Sequence, residues 1–240
     1  MPIHTVKLKR KEEVAEGTMA FYFEKPAGFQ FTPGQFADFT LIDPPETDAE
    51  GNIRTFSIAS APHETDLMIA TRMRDTAFKR VLKSMPLGTN ISLDGPQGEF
   101  ALRASSPRPS ILLAGGIGIT PFRSMALDAS TSRHAHSLLL LYSNHRPEDA
   151  AFLGELENVA ATNKNFTLVA TMTDMQKSNR AWTGETSAID DAMIARVSAN
   201  VAAPLYFVAG PPAMVAALKK TLASAGVKED DIRAEDFSGY

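Results

Sequence analysis

The sequence contains no cysteine among its 240 residues. This absence excludes disulfide bonds, cysteine-ligated iron–sulfur clusters and a thiolate nucleophile from the chain. No hydrophobic run reaches the roughly 20 residues that a membrane-spanning helix needs. Positive charge is not in excess either, because the formal net charge is −4, so no nucleic-acid partner is expected. The first residues lack a signal-peptide pattern, and we therefore predict a cytoplasmic protein without a membrane span.

Hydrophobic residues make up 44% of the chain, which is enough to build a full core. In residues 1–103, short β-prone runs recur between proline and glycine turns, a pattern typical of an antiparallel sandwich or barrel. The runs are Met19–Glu24, Phe36–Ile42, Arg54–Ala59, Asp66–Arg72 and Asn90–Asp94. One helix is predicted from Ala77 to Met85, because apolar residues recur there at helical spacing before Pro86.

The pattern changes after a linker-like segment at residues 104–109. Apolar β-prone runs now alternate with helical stretches, which predicts a parallel sheet with helices on both faces. The strands are Ser110–Ala114, Ser137–Tyr142, Phe166–Thr171 and Leu205–Ala209, and the helices are Pro121–Ser130, Pro147–Ala161, Ala188–Val197 and Pro212–Ala225. We predict an antiparallel β domain, a sandwich or a barrel, at 1–103 and an α/β nucleotide-binding domain at 109–240.

A glycine-rich turn follows the first strand of the second half. Gly115, Gly116 and Gly118 are followed by Thr120 and Pro121, where a helix begins. Such a turn brings bare backbone close to a phosphate, and the next helix adds its free N–H groups and positive dipole end. The spacing is not that of the G-x-G-x-x-G fingerprint, so a tight turn that binds nothing is the alternative.

Two further strand ends complete the candidate nucleotide site, because ligands of open α/β sheets lie at the carboxyl ends of the strands. One end carries Ser143 and Arg146, and the other carries Ala209, Gly210, Pro211 and Pro212. Between the end of this strand, at Tyr142, and Glu148 there is no acidic residue that could bind free ribose hydroxyls. An arginine can bind a 2′-phosphate, so this segment favours NADPH over NADH. The alternative is that Arg146 is an ordinary surface charge.

A second chemical motif, Arg54-Thr55-Phe56-Ser57, opens a strand in the first half. Arg54 and Phe56 share one face of the strand, whereas Thr55 and Ser57 share the other. The arginine could pair with a pyrophosphate, and a neighbouring hydroxyl could bond a ring nitrogen. The alternative is a surface arginine beside a core phenylalanine.

The segment 54–60 resembles the Arg-x-Tyr-Ser flavin motif of the ferredoxin–NADP reductase family. Four other segments are similar to motifs of this family and occur in the family order. They are Pro33–Phe36, Gly95–Phe100, Ala114–Pro121 and Val208–Pro212. The resemblance spans nearly the whole chain, and five ordered motifs together are highly specific. Phe56 stands where the family usually has tyrosine, and Ala209 where many members have cysteine.

The resemblance implies that residues 1–103 form an antiparallel β-barrel that binds FAD, with FMN as the alternative, and that NADPH or NADH is the substrate. Ser57 would hydrogen-bond the flavin ring near N5 and Tyr240 would cover its face, as the two catalytic candidates; a frayed terminus is the alternative for Tyr240. Arg54 would contact the flavin phosphate. The other flavin-binding candidates are Thr55, Phe56, Ala70, Thr71, Arg72, Thr76, Ala77, Phe78, Gly116 and Thr120. Phe237 is expected to pack.

The implied reaction passes hydride from NAD(P)H to flavin and then electrons to a separate acceptor. That acceptor would be ferredoxin, flavodoxin, an oxygenase component or a small molecule such as free flavin or quinone. Two alternatives stay open, a flavin-free dehydrogenase and a non-catalytic electron-transfer subunit. No metal site is expected, since His134 and His136 lack a nearby carboxylate. Lys79 and Arg80 are expected on a solvated face, or else in a docking patch for an acidic partner.

Overall fold

A computed structural model of the chain describes residues 2–102, 108–131 and 137–237. These residues form two β-sheets and five α-helices. The strands are β1 (His4–Ala15), β2 (Thr18–Glu24), β3 (Phe36–Leu41), β4 (Ile53–Ser57), β5 (Asp66–Arg72), β6 (Asn90–Gln97), β7 (Ser110–Gly115), β8 (Leu138–Asn144), β9 (Phe166–Met172), β10 (Leu205–Gly210) and β11 (Ile232–Asp236). The helices are α1 (Ala77–Ser84), α2 (Ile119–Thr131), α3 (Leu153–Thr162), α4 (Asp191–Ser198) and α5 (Pro212–Ser224).

The N-terminal sheet is antiparallel and has the strand order β4-β3-β6-β1-β2-β5. The sheet curls so that the chain leaving β4, one edge strand, meets β5, the other edge strand. There the Ala59 N–H donates to the Met68 carbonyl at 2.8 Å. Phenylalanines from β2 and β3 fill the interior, together with Phe78 of α1. The predicted antiparallel barrel is therefore confirmed, and α1 covers part of its core.

The C-terminal sheet is parallel and has the order β11-β10-β7-β8-β9. Every residue of the central strand β7 is buried, because helices cover both faces of the sheet. Apolar residues of α2 and α3 pack on one face, and those of α4 and α5 on the other. The predicted α/β half is confirmed. The chain runs outward from β7 through β8 to β9 and returns to β10, so the strand order reverses between β7 and β10.

Two strands escaped prediction from the sequence. β1 is rich in lysine, arginine and glutamate and has only two buried residues, and the edge strand β11 is short and largely exposed. The helix predicted at Pro147–Ala161 is interrupted, because Phe152 adopts a left-handed φ of 61° and α3 begins only after it. The proposed domain limits, 1–103 and 109–240, stay a prediction, since residues 103–107 lie outside the described residues. In the described ranges, every helix is too short or too polar to cross a bilayer.

Polar contacts join the two sheets beside β4. Arg123 of α2 is 5% exposed and donates to the Glu64 carboxylate and to the Ala59 carbonyl, both at 2.8 Å. On its other side, Arg123 pairs with Glu155 of α3 at 2.6 Å. The neighbouring Ser124 hydroxyl donates to the Ser60 carbonyl at 2.7 Å. The chain that leaves β4 is thus held against the first turns of α2.

Candidate functional site

A cavity of about 520 Å³ lies where β4, β5 and the start of α1 approach the turn after β7. Nine of the predicted residues line it: Arg54, Thr55, Phe56, Ser57, Ala70, Thr71, Arg72, Thr76 and Thr120. Five lining residues were not predicted: Glu50, Ile53, Lys79, Ile117 and Phe237. The structure therefore brings the two sequence motifs, from the two halves of the chain, to one space.

Ser57 differs from the other hydroxyl residues of this cavity. Its side chain is buried, and its Oγ has no hydrogen-bond partner among the described residues. Thr55 donates to Asp38, Thr71 to the Arg72 carbonyl at 3.3 Å and Thr120 to the Ile117 carbonyl at 3.0 Å. Because an unpaired buried hydroxyl is costly, the Ser57 hydroxyl is the one suited to bonding a ligand.

Positive charge collects at one end of the cavity. Arg54, Arg72 and Lys79 all line it, and Thr76 caps the N-terminus of α1 by accepting a hydrogen bond from the Lys79 N–H. Burial lowers the pKa of Lys79, and the nearby Arg74 and Arg54 lower it further. These groups and the N-terminal end of α1 make this end of the cavity suited to an anion such as a diphosphate.

The prediction that Lys79 lies on a solvated face is therefore wrong, because the Lys79 side chain lines the cavity. Helix spacing could have revealed this, since Lys79 follows Thr76 by three residues on α1. Arg80 does lie on the exposed side, where it pairs with Glu46 and Asp75.

The two predicted aromatic residues have different positions. Phe56 lines the cavity, and its ring lies 5.9 Å from that of Phe78. Phe78 itself is 1% exposed and belongs to the core of the N-terminal sheet. Phe78 was predicted to bind the cofactor as part of the helix start; its ring packs against Phe56, and the Arg54 guanidinium lies 5.4 Å from the ring centre. Ala77 contributes its backbone N–H, which donates to Asp48 at 3.0 Å.

Of the turn after β7, Ile117 lines the cavity, whereas the predicted glycines Gly115, Gly116 and Gly118 do not. Gly116 has a φ of 53°, and a Cβ added to Gly118 would lie 2.3 Å from the Ala209 carbonyl oxygen. A Cβ on Gly210 would likewise lie 3.2 Å from the Gly115 Cα. The turn and the end of β10 therefore pack backbone against backbone, at the point where the strand order reverses.

Helix α2 begins at Ile119, directly after this turn, with Thr120 and Pro121 buried in its first turn. Its free N–H groups lie at the carboxyl edge of the sheet, as a nucleotide phosphate would require. Ala209 is fully buried, while Pro211 and Pro212 begin α5 beside it. The predicted nucleotide residues after β7 and β10 are thus neighbours in space.

At the end of β8, Arg146 and Ser143 were predicted to contact the coenzyme, and Arg146 is engaged in other contacts. The Arg146 guanidinium pairs with Asp149 at 2.8 Å and with Glu16 of the N-terminal half at 2.9 Å. Its hydrogen bonds to Asp149 raise the pKa of Arg146 above its ordinary value. This pairing opposes the predicted role of Arg146 in binding a 2′-phosphate. Ser143 is half-buried at the end of β8, and its contact with a coenzyme stays a prediction.

A second, smaller cavity of about 370 Å³ lies on the other side of Ser57. Its lining residues come from β3, β4 and β11 and include Glu235 and Phe237. Burial raises the pKa of Glu235 to about 7. Phe237 lines both cavities, and its N–H donates to the Gly210 carbonyl at 3.0 Å.

The structure shows the position of Phe237 near the C-terminus but does not describe Tyr240. Phe237 does more than pack, because its side chain lines the site. No local signal marks this role, since only the pairing of β11 beside β10 brings Phe237 there. Tyr240, the predicted cover of the flavin, lies outside the described residues, as do His134 and His136. Within the described ranges no cluster of side chains suited to a metal ion is found.

Comparison with known proteins agrees with this geometry. Residues 112–220 match the model of the oxidoreductase NAD-binding domain family. The chain is 26% identical, over 92% of its length, to the glycine betaine monooxygenase reductase subunit of Chromohalobacter salexigens and covers 60% of that relative. The ferredoxin NADP⁺ reductase of Neisseria gonorrhoeae, solved with bound FAD and NADP, superposes with a TM-score of 0.78 at 19% identity, covering 98% of each chain.

The FAD/NAD-binding domain of nitric oxide dioxygenase from Vibrio cholerae has the same fold, with a TM-score of 0.81, 17% identity and coverage of 97% of this chain and 98% of that one. A barrel, a parallel sheet and a cavity lined by both are thus the fold that this chain shares with these flavin- and nucleotide-binding proteins. In sequence, residues 112–220 match the oxidoreductase NAD-binding domain family, and the chain is similar to the reductase components of monooxygenases. The chain spans between about half and three fifths of the length of the curated relatives that it matches.

Proposed function

We propose that the chain is a flavin-dependent NAD(P)H oxidoreductase that takes hydride from NADH or NADPH and delivers electrons to a separate acceptor. One observation carries the proposal. A single cavity combines the Arg54–Ser57 motif with Thr120 from the turn after β7. The first motif suits a flavin, and the second suits a nicotinamide nucleotide, so their junction is where two rings could meet.

The residues present fit a flavin. The buried Ser57 hydroxyl has no partner among the described residues, and a flavin ring offers nitrogen and oxygen atoms to it. At the other end, Arg54, Lys79 and the first amides of α1 would hold the cofactor's phosphates. FAD is favoured over FMN because the Neisseria structure of this fold contains FAD. When bound, the flavin accepts a hydride and can release electrons singly.

The protein's own groups would bind and orient the two partners. Ser57 would donate a hydrogen bond to the flavin ring, and Phe56 would pack beside it. Thr120 and Ile117 would lie beside the coenzyme, while the turn at Gly115–Gly118 and the β10 end hold its phosphates. Phe237 lines the cavity next to Ser57 and would exclude water from the site. This alignment is the contribution that a protein makes to hydride transfer.

The acceptor that we propose is the oxygenase component of a two-protein system, or a ferredoxin or flavodoxin that serves one. The support is the similarity to the Chromohalobacter reductase subunit, whose own partner is a monooxygenase. The same proposal places the reaction in the cytoplasm, where NADH and NADPH are available.

The test is the visible spectrum of the purified chain, followed by anaerobic addition of NADH or NADPH. We expect a yellow protein, or one that takes up added FAD, and bleaching by at least one coenzyme. A colourless protein that takes up neither FAD nor FMN would refute the proposal and favour a flavin-free dehydrogenase. A yellow protein that neither coenzyme bleaches would favour the non-catalytic electron-transfer subunit.

A further inference from the structure

Residues 43–52, which we call the acidic strap, connect β3 to β4 beside the phosphate end of the cavity. Three of its four carboxylates occur at alternate positions, and each of these three pairs with a cation. Glu46 pairs with Arg80 of α1 at 2.6 Å, and Asp48 and Glu50 pair with Arg54 at 3.2 and 2.8 Å. The strap is therefore held to the same elements that would bind the cofactor's phosphates.

Asp48 makes the most specific of these contacts. Its Oδ2 accepts a hydrogen bond from the Ala77 N–H, at the first residue of α1, while Oδ1 accepts one from the Arg54 guanidinium. A helix N-terminus and an arginine are together the usual recognition elements for a phosphate. The Asp48 carboxylate thus satisfies the donors that an anionic ligand would use at this end of the cavity.

The contact can be broken at small cost to the core. The Asp48 side chain is 32% exposed, and the strap contributes no residue to the buried cores. An exposed ion pair contributes little to stability, so the strap can leave while the barrel stays folded. A diphosphate carries more charge than one carboxylate and can accept hydrogen bonds from several donors at once. A bound diphosphate should therefore displace the Asp48 carboxylate from these donors.

We propose that Asp48 is an internal competitor of the flavin, whose diphosphate must displace it from the Ala77 amide and Arg54. The inference rests on the proposed function, because it concerns the flavin site of that function. Asp48 thereby lowers the affinity for phosphate-bearing flavins and makes the cofactor exchangeable. Riboflavin, which has no phosphate, does not need this position and is unaffected.

The experiment compares the full chain, freed of flavin, with Asp48→Asn and Asp43→Asn. Asp43 belongs to the same strap, is exposed and forms no hydrogen bond or ion pair with the described residues, so its variant matches the charge change. Dissociation constants of FAD and riboflavin are measured from the change in flavin fluorescence on binding. We expect Asp48→Asn to bind FAD about fivefold more tightly than wild type. Riboflavin affinity should be equal in all three proteins.

Hydrogen exchange of residues 46–50 supplies a second readout, because the strap of wild type should lose protection when FAD binds. Equal FAD affinities for wild type and Asp48→Asn, or weaker binding by the variant, would overturn the inference. So would an equal gain in Asp43→Asn, since that gain would reflect net charge alone. If no variant binds any flavin, the proposed function itself fails, and that result is distinct from the others.

Discussion

Ser57 and Ser60 lie three residues apart, yet their hydroxyl groups have different surroundings. The Ser60 Oγ accepts a hydrogen bond from the Met68 N–H at 3.0 Å, whereas the Ser57 Oγ has no partner among the described residues. Both side chains are buried. One hydroxyl therefore stabilises the barrel, and the other is held ready for a ligand.

We expect Ser57→Ala to slow flavin reduction by NAD(P)H about tenfold, which corresponds to the loss of one hydrogen bond to the flavin. The folded state should lose almost nothing, because no described residue gives up a bond to this hydroxyl. Stopped-flow absorbance measures the reduction rate, and urea unfolding measures stability.

The matched control is Ser60→Ala, which should cost about 1–2 kcal/mol of stability by leaving the Met68 N–H unpaired. Its flavin-bound form should be reduced at a rate close to wild type. A Ser57→Ala protein as unstable as Ser60→Ala, yet reduced normally, would show that Ser57 has only a structural role.

Glu235 gives the chain a distinct dependence of stability on pH. Its folded-state pKa is raised by burial to about 7, above the ordinary value of 4.5. Between these values the unfolded chain has lost the proton that the folded chain keeps, so stability falls as the pH rises from 4.5 to 7. Glu235→Gln should therefore be the more stable protein at pH 8 by about 3 kcal/mol and should equal wild type at pH 4. Urea unfolding at both pH values checks this; a difference that is independent of pH would contradict it.

At the level of residues, the sequence anticipated the groups that occur in ordered motifs. Arg54, Ser57 and Thr120 were predicted from local patterns, and all three line the cavity. Phe78 was predicted as part of the phosphate-binding helix start, but its side chain is buried in the core and does not line the cavity. Phe237 and Glu235 depend on the pairing of a distant strand, which no local pattern encodes.

The turn after β7 and the end of β10 form a contact between backbones, and this contact requires glycine. A Cβ on Gly118 would lie 2.3 Å from the Ala209 carbonyl oxygen. We expect Gly118→Ala to push the turn away from β10, costing about 1–3 kcal/mol, as overpacking does in other cores. Coenzyme binding should weaken with it, whereas FAD binding should persist.

Gly154→Ala is the matched control, because this glycine lies in α3 and an added Cβ meets nothing within 4 Å. It should raise stability by about 0.5–1 kcal/mol through helix propensity. Thermal unfolding and NAD(P)H titration of both variants provide the measurements. Normal coenzyme affinity in a destabilised Gly118→Ala protein would separate the turn from nucleotide binding.

Most elements followed from periodicity, and the exceptions have physical reasons. β5 was predicted as Asp66–Arg72 and has these bounds. β1 was missed because its many charged residues hide the buried Val6 and Leu8, and β11 because an edge strand needs little apolar surface. The position of β11 follows from its pairing with β10, a long-range contact that sequence spacing does not reveal.

The whole molecule depends on Arg123, which contacts both halves of the chain. Burial alone would raise the pKa of Glu64, but the hydrogen bonds from Arg123 hold that pKa below its ordinary value. Arg123→Met would leave the carboxylates of Glu64 and Glu155 without their shared cation. We expect a loss of about 3 kcal/mol, typical of a broken buried ion pair.

Arg196→Met is the control, since Arg196 is 58% exposed in its pair with Glu185 and should cost less than about 1 kcal/mol. Urea unfolding followed by circular dichroism compares the two. We also expect the Arg123 variant to unfold in two steps, because the two sheets lose their strongest polar link. A single transition with a small loss would show that apolar contacts alone unite them.

The bonds from Arg123 and Ser124 to residues 59, 60 and 64 also constrain how the molecule can move. Any rotation of one sheet away from the other as a rigid body would break all of them together. In the proposed function, a coenzyme would therefore enter through small local displacements at the cavity mouth, such as a rotation of the Phe237 ring. Static packing would then set the distance between the flavin and nicotinamide rings, and no closure of one sheet onto the other would be needed.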